Sequence, residues 1–127
     1  MSESYILEPS RRVPLFGDYE VVVLGGGPAG IAAAIAAGRS GRDTLLIERY
    51  GFLGGAGTAA GLSTFCGLHS NVQGQHKLTA RGLVVEILDR LAAMDALSKP
   101  HLSVQQRIQA QAYDISAFKI LADEMIS

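Results

Sequence analysis

Two rhythms divide the apolar positions of this chain. Tyr19–Leu24 (YEVVVL) ends in an unbroken, largely β-branched run, the pattern of a strand buried on both faces. Thr44–Glu48 (TLLIE) has the same character. Between them IAAAIAAGRS carries small apolar residues to about Ser40, and Pro28 stands at the first helical position, where a missing N–H does no harm. The alanines leave little bulk, so this helix can lie close against a sheet. Gly41-Arg42-Asp43 supplies the turn. Strand, helix and strand predict a βαβ unit, parallel and right-handed.

The second rhythm is helical. Leu83, Val84, Ile87, Leu88, Leu91 and Met94 recur at helix spacing within 79–97, with Glu86 and Arg90 as an i,i+4 pair on the polar side. Arg107–Tyr113 alternates weakly and reads as a short strand. Asp114 has the position of an N-cap, and a helix follows with Ile115, Phe118, Leu121, Ala122 and Met125 inward. Residues 49–61 (RYGFLGGAGTAAG) hold five glycines, too many for a regular element. Ser63–Leu78 is mixed and polar, without a clear period. Residues 1–18 read as an irregular arm broken by Pro9, Pro14 and Gly17, and 19–127 as one α/β domain.

Only two strands are convincing, and the last helix carries no stop signal before Ser127. The expectation is therefore the front part of a longer, Rossmann-like domain whose sheet is incomplete. Its exposed apolar edges would pair with further chain or with another copy, as in a homo-oligomer.

Composition narrows the partners. A formal charge of −1 offers no electrostatic reason to expect nucleic acid or an anionic membrane. Val21–Gly38 is uncharged, yet its glycines, Pro28 and alanines make it a poor membrane span. With Cys66 as the single cysteine, no internal disulfide can form, and a reducing, cytoplasmic setting is expected. MSESYILEPSRR lacks the apolar core of a secretory signal.

The chemistry lies in Gly25-Gly26-Gly27-Pro28-Ala29-Gly30, which satisfies G-x-G-x-x-G with Gly25, Gly27 and Gly30 as fixed points. Gly25 lets the chain turn off the strand, Gly27 admits a pyrophosphate to the backbone, and Gly30 lets helix and strand pack tightly. The phosphate would meet free N–H groups and the positive end of the helix dipole. Glu48 ends the second strand, where a carboxylate can accept hydrogen bonds from the hydroxyls of an adenosine ribose. Such an acid repels a 2′-phosphate, which argues against NADP; the adjacent Arg49 pulls the other way. A tight turn without a ligand is the competing account.

YEVVVLGGGPAGIAAAIAAGRSGRDTLLIERYGFLGG resembles the N-terminal fingerprint of FAD-dependent oxidoreductases with the glutathione-reductase-type dinucleotide fold. More narrowly it is similar to the group in which an ERYGFLGG-type loop and then a threonine follow. The resemblance covers residues 12–62 strongly, 63–112 loosely, and DISAFKILADEM (114–125) as the helix leading to a third strand. It implies FAD as cofactor and a small-molecule substrate that exchanges a hydride with the flavin. It also implies a cofactor surface made of Gly25, Gly27, Pro28, Ala29 and Gly30, with Glu48 on the ribose and Arg49 near the adenine. Gly54, Gly55 and Thr58 would line the pyrophosphate and flavin side. Glu20 replaces the family's usual aspartate, and GGAGTAAG has small residues where related loops often carry a methionine.

Other readings stay open at this point: an NAD-dependent dehydrogenase domain, or a non-catalytic nucleotide-binding module. The 79 residues after Glu48 without a convincing third strand favour the longer cofactor over NAD. Cys66, His69 and His76 (C-x₂-H-x₆-H) match no zinc spacing and read as packed or solvated side chains, with Cys66 buried. Glu86, Asp89 and Asp95 read as a solvated helix face. No residue presents itself as catalytic, in keeping with chemistry carried by a flavin.

Overall fold

The computed structural model describes residues 4–103, 105 and 107–127. The βαβ unit forms where the sequence predicts it. Strand β1 (Val21–Leu24) pairs in parallel with β2 (Thr44–Ile47), in register from Val21↔Thr44 to Leu24↔Ile47. Helix α1 (Pro28–Arg39) joins them, with Pro28 in its first turn. It stops at Gly41, whose φ of +76° lets Arg42 N–H reach the Ala37 carbonyl at 3.1 Å. Tyr19 and Glu20 fall outside β1. Glu20 instead closes the unit from below, accepting the Asp43 amide and an Arg42 guanidinium N–H, each at 2.9 Å.

The two strands are not buried on both faces. Helix α1 covers one side only, leaving Val22 52%, Leu24 78% and Ile47 46% exposed on the other.

The region without a clear period contains three short strands. They are β3 (Thr64–Cys66), β4 (His69–Val72) and β5 (Gln75–Leu78). β4 and β5 form a hairpin turning at Gln73 and Gly74, both at positive φ, as a tight two-residue turn requires. Helix α2 (Leu83–Ala93) is shorter than its periodicity suggests. Gly82 at φ +73° starts it, and Asp95 at φ +55° ends it by sending the Ala96 amide to the Leu91 carbonyl at 2.9 Å. Then come β6 (His101–Ser103), β7 (Ile108–Ala112) and α3 (Ile115–Ile126). β7 lies between β3 and β6 in an antiparallel sheet.

Asp114 caps α3 as expected, accepting the Ala117 amide at 2.8 Å. This helix packs against both α1 and α2. Phe118 and Leu121 join Leu91 and Tyr113 in one apolar cluster, while Ala122 joins Ile31 and Ile35 in another. Glu86 and Arg90 do not pair along their own helix. Glu86 takes both guanidinium nitrogens of Arg39 on α1 at 2.8 Å, and Arg90 reaches Glu124 on α3 at 2.8 Å. The helices lie side by side, so partners across the gap offer better geometry than the turn above. Cys66 is exposed rather than buried, because it sits on the open face of β3.

Candidate functional site

The site begins where β1 hands over to α1. Gly25 N–H extends the parallel ladder to the Ile47 carbonyl at 2.8 Å, and its φ of +96° then turns the chain away from the sheet. Gly27 occupies the N-cap position and brings no side chain to it. The first-turn amides of Ala29 and Gly30 lie beyond the reach of the helix's own carbonyls. No acidic residue occupies that turn. At Gly30 a Cβ would collide with the Gly25 carbonyl oxygen, which explains the bare position.

Glu48 follows directly after β2 and turns toward this loop. Its Oε2 accepts the Gly26 amide at 2.6 Å, and its Oε1 accepts those of Arg49 at 2.7 Å and Tyr50 at 3.0 Å. The Tyr50 amide first, and then that of Gly26, hold the carboxyl below the ordinary glutamate range. An ionised acceptor therefore stands beside bare donors.

Gly26, a variable position of the motif, is buried and connects three segments. Besides binding Glu48, its carbonyl accepts the Gly54 amide at 2.8 Å. A Cβ there would meet Leu53 Cδ2 and crowd Glu48. Sequence reasoning passed over it because the motif leaves this position free.

The second glycine loop closes on the first. Gly54 and Gly55 both have positive φ, +110° and +49°, and a Cβ on Gly55 would come 2.8 Å from Gly27 Cα. A short 3₁₀ turn, Gly55–Gly57, follows. Thr58 lies inside this loop, buried, with its hydroxyl donating to the Leu53 carbonyl at 2.7 Å and its side chain against Gly54. It shapes the loop from within. Arg49 donates to the Tyr50 hydroxyl at 2.7 Å and lies over that ring at 4.8 Å. Tyr50 stacks on Phe52, and Lys119 of α3 sits 3.8 Å above the Phe52 ring. The structure thus places Glu48 on the Gly25–Gly30 turn and brings Gly54 and Gly55 against the same turn, with Arg49 next to Glu48.

These residues fit a dinucleotide. A Cβ at Gly25 would meet nothing within 4 Å, and one at Gly27 only Gly55 Cα at 4.0 Å. Side chains at either position would stand over the bare turn. Amide donors and an ionised carboxylate suit a pyrophosphate and a sugar diol respectively. A hollow of about 400 Å³ between Ile35, Leu46 and Met125 shares none of these residues. Among the described residues, no group of three or more His, Cys, Asp or Glu could hold a metal ion. No helix among them is long and apolar enough to cross a membrane.

The chain is similar in sequence to several known proteins. The chain is 51% identical over 45 residues to a dihydrolipoyl dehydrogenase of Trypanosoma brucei brucei, covering 35% of the chain and 9% of that protein. It is 58% identical over 36 residues to the dihydrolipoyl dehydrogenase of Vibrio cholerae, covering 28% of the chain and 8% of that protein. It is also 62% identical over 34 residues to the tRNA uridine 5-carboxymethylaminomethyl modification enzyme of Treponema pallidum, covering 27% of the chain and 5% of that enzyme. The matches therefore span less than a tenth of each relative. No solved structure gives a significant match. A family model described as FAD dependent oxidoreductase matches residues 20–127, nearly the whole chain, and the chain belongs to that family.

Proposed function

We propose that residues 19–127 bind the ADP part of FAD for an FAD-dependent oxidoreductase. The diphosphate would lie against the amides of the Gly25–Gly30 turn and the start of α1. Glu48 would accept from the adenosine ribose, and Arg49 with Tyr50 would border the adenine. Gly54 and Gly55 would run along the other side of the diphosphate, toward the flavin. FAD supplies hydride and electron transfer when bound, and this segment supplies binding and orientation. The substrate would be a small molecule reached through the rest of the active site. A reducing, cytoplasmic setting suits a chain with one cysteine and no disulfide.

The carrying observation is the Glu48–Gly26 contact of 2.6 Å, which brings the acid after the second strand onto the glycine turn. The test is FAD titration of the full-length protein, followed by flavin fluorescence. FAD should bind and yield a flavin spectrum, and Glu48→Ala should weaken binding by roughly tenfold or more, given a hydrogen bond to a charged group. Unchanged affinity in Glu48→Ala would remove the ribose role. A colourless protein that retains NADH would favour an NAD-dependent enzyme instead.

A further inference from the structure

Tyr113 lies 51 and 56 residues beyond the carbonyls it binds, in a stretch that no motif marks. Its hydroxyl donates to the Leu62 carbonyl at 2.6 Å and shares that proton with the Gly57 carbonyl at 3.1 Å. Both acceptors belong to the second glycine loop. The ring is 8% exposed, stacked on Phe65 at 4.4 Å and edge-on to Phe118 at 5.2 Å. Its own amide donates to the Ser63 carbonyl at 2.9 Å. A Cβ on Gly57 would come 2.6 Å from the hydroxyl and 3.0 Å from the Phe118 ring. The loop is thus pressed onto Tyr113 with no side chain between.

Few other bonds hold this loop. Among the described residues, segment 51–62 makes hydrogen bonds to the rest of the protein at two places: Gly54 N–H to the Gly26 carbonyl, and the Tyr113 hydroxyl. Glycine-rich chain loses much conformational freedom when ordered, so each anchor counts. The first anchor fixes the loop's entry and Tyr113 fixes its exit. Burial pushes the Tyr113 phenol up from its ordinary value, so it remains a proton donor.

We propose that Tyr113 is a positioning residue for FAD, holding the 51–62 loop in the arrangement that borders the cofactor beyond its ADP half. This rests on the reading above, that the two glycine loops flank one FAD. Opening of the loop would lower affinity in proportion to the closed fraction. ADP would be little affected, because the turn, Glu48 and the loop's entry at Gly54, which the Gly26 carbonyl anchors independently of Tyr113, would hold its diphosphate and ribose.

The experiment compares ADP and FAD binding by calorimetry in the full-length protein, for wild type and Tyr113→Phe. Tyr113→Phe should weaken FAD by about three- to tenfold, the loss of one buried hydrogen bond, and leave ADP within about twofold. Phe65→Leu, which loosens the ring stack but keeps the hydroxyl, should leave the FAD-to-ADP ratio unchanged. Equal losses for both ligands in Tyr113→Phe would mean a merely structural role and overturn the proposal, as would unchanged FAD affinity. If Tyr113→Phe does not fold, Gly57→Ala serves, since its methyl would push the loop off the hydroxyl; the same split is expected. Failure of the wild type to bind either ligand would instead overturn the FAD reading itself.

Discussion

Glu48 and Gly26 meet at 2.6 Å, carboxylate oxygen to amide nitrogen, across 22 residues of sequence. With the Arg49 and Tyr50 amides on its other oxygen, the carboxylate is oriented before any ligand arrives. These bonds favour the charged form, so the folded-state pKa lies below the ordinary value of 4.5.

The sign of the pH effect follows. A carboxyl whose folded pKa is depressed adds stability that is complete above its unfolded pKa and is lost as pH falls through the folded one. FAD affinity should therefore stay level as pH is lowered to 4.5 and decline only in stronger acid. Flavin-fluorescence titrations across pH check this, with Glu48→Gln as the variant that lacks the transition. A decline centred above 4.5 would contradict the assignment.

Two glycines of α1 should answer alanine in opposite ways. Gly30→Ala forces a methyl into the Gly25 carbonyl, where backbone cannot swing aside. A loss of about 1–3 kcal/mol is expected, together with weaker FAD binding. At Gly38 a Cβ meets nothing within 4 Å, so Gly38→Ala should gain about 0.5–1 kcal/mol from helix propensity. Denaturant unfolding of the pair decides both.

Helix α3 depends on its cap. Asp114→Ala removes the acceptor for the Ala117 amide and should cost about 0.5–2 kcal/mol. Asp114→Asn should recover most of that, because it keeps a side-chain oxygen at the same place. Thermal melts of the three proteins would measure the difference.

Ion-pair coupling should follow the fold. A double-mutant cycle on Arg39 and Glu86 should give a small favourable coupling that fades with added salt, since both are partly exposed. The same cycle on Glu86 and Arg90 should give a smaller coupling, for each already has a partner on another helix.

What could be read in advance was local. Val21–Ile47 was legible because strand runs, Pro28, Gly41 and the glycine triplet all obey rules that operate within a few residues. β3, β4, β5 and β6 escaped, being three or four residues long and partly exposed, so no period develops. Their existence depends on pairing with distant chain, such as Phe65 opposite Gln111. The end of α2 escaped because Asp95 takes a left-handed conformation usually signalled by glycine. In the site, Gly25, Gly27, Gly30 and Glu48 were visible from their motif. Gly26 and Tyr113 were not, for their partners are set by tertiary contact alone.

Gly27 and Gly55 confront each other as backbone against backbone, with a separation that no rotamer can adjust. Where side chains line a crevice, drift in size at one wall can be absorbed by retreat at the other. Here neither wall has anything to withdraw. The spacing of the two loops is set like the gauge of a rail, by the track itself, and a single added methyl on Gly55 forces them apart.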